Sequence, residues 1–154
     1  MKKTNSNKFL CGLVAIFGIV AIFVEYAPAF NEEGGTALGN VFKAMFGASS
    51  ENLATVWPLV LAFCGLLLGL ILAFAGLLVD GKALKYVYLA DAILYIAAGV
   101  LFLFMKTFYV AANGQYSVIS ANQGALGSGT ITTVVFAFLS GASAAGGFLL
   151  TKKD

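Results

Sequence analysis

Histidine and arginine are both absent from this 154-residue chain. Without histidine, the side chain most used near neutral pH as general base and metal ligand is missing. Without arginine, the bidentate clamp for phosphate and carboxylate is missing too. Charge of either sign is scarce, at 10% of residues against about 25% in ordinary soluble chains. The cations are all lysines, scattered to the ends of apolar segments, and the net charge is +2. That pattern argues against nucleic-acid binding. No CxxC, HExxH, GxSxG or P-loop pattern occurs. The stretch GSGT at 127–130 has no Lys or Arg beside it to complete a phosphate cradle. The chain is therefore expected to be no enzyme and to carry neither cofactor nor metal. The only cysteines, Cys11 and Cys64, each lie in an apolar segment. In the topology derived below they stand roughly 15 Å apart along the membrane normal, whereas a disulfide needs Cα atoms within about 7 Å. Both read as small buried hydrophobes.

What the sequence has is apolar length. Sixty per cent of its residues are hydrophobic and its mean hydropathy is +0.94. Runs at approximately 9–25, 57–79, 86–106 and 129–150 each approach the ~20 residues that cross a bilayer. They are hydrophobic all round, which excludes a water-facing side. Trp57 marks an interfacial end, and Pro58 sits where a first-turn proline does no harm. Lys2, Lys3, Lys8, Lys82, Lys85, Lys152 and Lys153 fall on one side, leaving Lys43 and Lys106 on the other. The positive-inside rule then places both termini in the cytoplasm and the segments 26–56 and 107–128 outside. The expected fold class is an all-α membrane protein. It is a four-transmembrane-helix bundle, one integral membrane domain over 1–154, with a small extracytoplasmic cap. An alternative reading of the first segment is a secretory signal, MKKTNSNK plus an apolar core and APA at 27–29. Its cleavage would leave three spans in the same orientation.

In lipid, helices meet through close approach at small residues. The second span carries Gly65, Gly69, Ala73 and Gly76 at helical spacing, and the fourth carries Ala137, Gly141 and Ala145. The first has Cys11, Ala15, Gly18 and Ile22 on one stripe that ends at Glu25. These ladders predict a compact bundle. In the cap, Val41, Phe42, Met45 and Phe46 predict a short amphipathic helix. Asn113-Gly114 between β-prone runs predicts a β-hairpin, unless Phe108–Ala112 extends the third helix.

One acid stands inside a span. Asp91 shares a helix face with Tyr88 and Tyr95, one turn to either side, and the antiparallel fourth span brings Ser140 and Ser143 to a similar depth. Two readings lead, with a partner-binding site as the third. The first is a polar clamp, in which these hydroxyls donate to the carboxylate and fix the helix. The second is a proton or cation site, because intramembrane acids are costly and mark pathways. A pathway calls for further polar groups across the membrane, and the third span offers none beyond Tyr95. Glu25 and Lys106, at outer ends of spans, are expected to be largely solvated and to pair weakly if at all.

The layout resembles several tetraspan families in topology alone. The W…GLW…C…C loop of claudins and the CCG motif of tetraspanins are missing, as is the mid-helix acid that rotor proteolipids carry in helix two or four. The expected role is an accessory or structural subunit, held in the lipid bilayer, that packs against a membrane-protein partner or copies of itself. The alternative is a small transporter or channel using Asp91. Small-residue ladders facing lipid would favour the first.

Overall fold

A computed structural model of the protein describes residues 2–32, 39–47, 49, 53–113 and 124–151. Four long helices dominate: α1 (Lys2–Phe23), α3 (Trp57–Leu78), α4 (Gly81–Leu103) and α6 (Ser128–Thr151). Each is long and apolar enough to cross a membrane. Between them lie β1 (Phe30–Glu32), α2 (Val41–Phe46), α5 (Met105–Asn113) and β2 (Gly124–Leu126). A single 3-10 turn at Val24–Tyr26 follows α1.

The long helices form a ring in which α1 packs on α3, α3 on α4, α4 on α6 and α6 back on α1. Successive helices run in opposite directions, so α1 and α4 are parallel across the ring. Lys8 pairs with Asp80 at 3.3 Å, which brings the beginning of α1 and the α3–α4 turn to one end of the bundle. That turn is tight because Gly81 takes a left-handed φ of 64°, which costs glycine nothing. Helix α4 starts there, so Lys82 and Lys85 belong to its first turns rather than to a loop. Lys85 lies over the Phe148 ring at 5.4 Å from its centroid, tying α4 to the end of α6.

The other end is closed by the connecting segments. Asn40 caps α2 by accepting a hydrogen bond from the Lys43 amide at 2.7 Å, and Gly47 ends that helix at φ 75°. Val41, Ala44 and Met45 of α2 are buried, while Phe42 and Phe46 set their rings edge-on to Phe63 of α3. The first arm of the expected hairpin at Asn113-Gly114 is helical instead, in α5. Residues up to Asn113 are helical, and 114–123 lie outside the described residues. Instead Asn113 accepts a hydrogen bond from the Ala54 amide at 2.7 Å and donates to the Tyr109 carbonyl at 3.2 Å. The antiparallel pairing joins β1 to β2, with Phe30 opposite Leu126 and Glu32 opposite Gly124. The GSGT stretch serves this junction, since the Gly127 and Gly129 amides donate to Ala29 and Pro28 carbonyls at 2.7 and 2.9 Å.

The small-residue ladders face inward. Gly69, Ala73 and Gly76 of α3 and Ala137 and Gly141 of α6 are buried, with Gly65 and Ala145 half-buried. The outer faces carry large aliphatics such as Leu61, Leu68, Ile71 and Leu149. Cys64 is exposed on that outer side and Cys11 is buried, both as free thiols.

Candidate functional site: a polar line inside the bundle

Glycines make room for two tyrosines. A Cβ on Gly69 would stand 2.7 Å from the Tyr95 ring, and one on Gly18 would overlap the Tyr95 hydroxyl. Tyr95 of α4 is therefore wedged between α1 and α3. Tyr88, two turns lower, fills the space left by Gly147 of α6, and Cys11 fills that left by Gly76. Tyr88 and Cys11 stand within hydrogen-bonding reach of each other. Both tyrosines are fully buried. The ladders thus act less by bringing backbones together than by seating bulky polar side chains in the interior.

Asp91 lies between these tyrosines on α4, near the middle of that helix, and is 0% exposed. It is close enough to Cys11, Tyr88 and Tyr95 for its charge to act on each. The expected clamp is nevertheless not made: among the described residues neither carboxylate oxygen has a hydrogen-bond partner, and the Tyr95 hydroxyl has none either. Ser140 donates elsewhere, to the Val14 carbonyl of α1 at 3.3 Å. Ser143 is half-buried; the neighbouring α4–α6 contacts, Gly141 on Ile96 and Gly147 on Tyr88, put it level with Asp91.

Glu25 departs further from expectation. It is 1% exposed rather than solvated, and among the described residues both of its oxygens lack a hydrogen-bond partner. The anticipated pair with Lys106 is thus not made as a hydrogen bond. Two hydroxyls that sequence reading overlooked bracket it from α6. Thr133 donates to the Ala21 carbonyl at 3.2 Å, and Thr130 to that of Ala29 at 2.8 Å. Those carbonyls lie four residues to either side of Glu25. Thr130 also meets the Met105 sulfur at 3.1 Å.

Followed turn by turn, α1 meets a polar group at nearly every level. Cys11 faces Tyr88, Val14 faces Ser140, Gly18 faces Tyr95, Ala21 faces Thr133, and Glu25 completes the stripe. From Val14 to Glu25 the line rises roughly 17 Å at the helical rise per residue. Polar groups missing from the third span beyond Tyr95 are supplied by α1 and α6. The interhelical register decides this, and no single segment displays it.

Among the described residues, no group of three or more Cys, Asp or Glu gathers in a way that holds a metal. Trp57, at the start of α3, is 68% exposed. Comparison with protein-family models, with curated proteins and with solved structures gives no match for this chain.

Proposed function

We propose that this is a small integral membrane protein that moves or couples protons through its bundle, with Asp91 as the central exchanging group. The observation that carries the reading is the isolation of that carboxyl. An ionised carboxylate buried without a partner is among the costliest arrangements a protein can hold. An acid kept inside a membrane bundle at such cost is by default a functional group. Asp91 makes no hydrogen bond that would repay its burial as a clamp. The line of hydroxyls from Ser140 to Thr133 supplies the stepping-stones that a pathway needs.

Lysine placement supports an orientation with both termini and the Asp80 turn in the cytoplasm and the α2 and β1–β2 end outside. Packing of Cys11, Val14 and Gly18 at the bundle centre supports a first helix retained in the working protein. The accessory-subunit reading draws less support, because the small-residue faces that would greet a partner are occupied within the chain. The outer faces, rich in leucine and isoleucine, suit lipid. An exposed face of that kind still accommodates a second copy or a neighbouring membrane protein.

The test is reconstitution into liposomes bearing a pH gradient. Wild-type protein is expected to collapse the gradient, and Asp91→Asn to abolish this while melting as wild type does. Equal collapse by Asp91→Asn would remove Asp91 from the function.

A further inference from the structure

We infer that Glu25 is a second proton-binding site, the station at the α2 end of the interior that exchanges protons with Asp91. The inference rests on the proton-handling reading of Asp91 and adds to it a specific residue, a direction and a choice of ion. Glu25 sits in the 3-10 turn that ends the first span, closed from solvent at 1% exposure beneath the segment that runs into β1. Both of its oxygens lack partners. A carboxyl in that state holds a proton or faces a bound cation, because the bare anion is too costly there.

The surroundings favour the proton. A metal cation needs several oxygens converging on one point, and among the described residues no group of three or more Asp, Glu or Cys side chains gathers at Glu25. Two hydroxyls of α6, Thr130 and Thr133, give their hydrogens to the carbonyls of Ala29 and Ala21, four residues to either side of Glu25. Each retains lone pairs that can accept a hydrogen bond from a protonated carboxyl after a small rotation. A proton needs nothing more. Among the described residues, the titratable groups on the elements around this end are Tyr26 of the same turn, Glu32 of β1, Lys43 of α2, and Lys106 and Tyr109 of α5, the last three each engaged in an interaction. Between Glu25 and Asp91 stand Thr133 and the unpartnered Tyr95 hydroxyl, so a proton leaving one acid finds acceptors on the way to the other. Direct carboxyl-to-carboxyl transfer is excluded by the separation of roughly 17 Å along α1.

The experiment compares wild type, Glu25→Gln, Glu25→Asp and Asp91→Asn in liposomes, by proton flux and by infrared absorption of protonated carboxyl groups in H2O and D2O. Glu25→Gln preserves shape and is expected to remove one exchangeable protonated-carboxyl band and to slow flux at least tenfold. Glu25→Asp, which keeps the acid, is expected to retain the band and a measurable part of the flux. Flux lost in Asp91→Asn but unchanged in Glu25→Gln would overturn the second site and leave the Asp91 reading standing. Loss of an ionised rather than a protonated carboxyl band in Glu25→Gln would also overturn it. Absence of flux in the wild type would overturn both.

Discussion

Tyr95 shows how much one side chain organises. Its ring occupies the space that Gly18 and Gly69 leave open, and its hydroxyl stands in the line between Asp91 and Thr133. Adding a side chain at Gly69 must push that ring aside, and the interior offers little freedom to do so. Gly69→Leu is expected to lower stability by at least about 1–3 kcal/mol. Leu68→Ala, at a position 53% exposed on the outer face, should cost less. Thermal melts in detergent check the pair, and equal melting of Gly69→Leu and wild type would show that Tyr95 is not wedged there. At this scale the sequence was partly legible. Small-residue spacing marks the inner faces, because only small residues leave room there. What fills the room is invisible in it, since the match of Gly69 to Tyr95 depends on how α3 is set against α4. Thr130 and Thr133 were missed for the same reason. A threonine in an apolar run becomes a cross-link only when a carbonyl of another helix stands opposite.

The long helices are legible as elements because crossing a bilayer demands a length and an apolarity that few other structures share. Their observed ends differ from the hydropathy limits where polar residues continue the helix, as at Lys82 and Lys85 of α4. Between the two readings of residues 108–112, strand or helix, the helix holds, because Asn-Gly is only a local signal. Residues 108–113 instead continue as α5, and Asn113 pins that helix to Ala54. The actual pairing, β1 with β2, joins segments far apart in sequence and has no local signature. Hydroxyl contacts hold α6 to α1 along its N-terminal half. Thr133→Val keeps the side-chain shape and removes the donor to Ala21, so it should cost about 0.6 kcal/mol and at most about 2. A double-mutant comparison with Thr130→Val measures it. Additive losses are expected if each contact acts alone; a single joint loss would mean that the two hydroxyls act as one unit with Glu25 between them.

For the whole molecule the orientation is the first quantity to establish. Single cysteines at positions 43 and 113, introduced with the native thiols replaced, should be labelled from outside the cell by an impermeant reagent. Cysteines at 82 and 153 should be labelled only after permeabilisation, and labelling at 82 from outside would reverse the bundle. Given that frame, the bundle reads as a shell of aliphatic side chains around a polar line that adds cost rather than strength. Asp91 and Glu25 lack the hydrogen bonds that make buried polar groups stabilising. Functional residues often sit where a sequence breaks the rules of stability. The central claim is therefore that Asp91 is present for proton exchange and against stability. Leucine has the same branching of heavy atoms as aspartate, so Asp91→Leu removes the acid with little change of shape. The most direct test is the thermal stability of Asp91→Leu in detergent. If Asp91 serves proton exchange, the variant melts at or above the wild-type temperature; a loss of about 1–2 kcal/mol, the size of a broken intramembrane hydrogen bond, would show that Asp91 is a structural clamp.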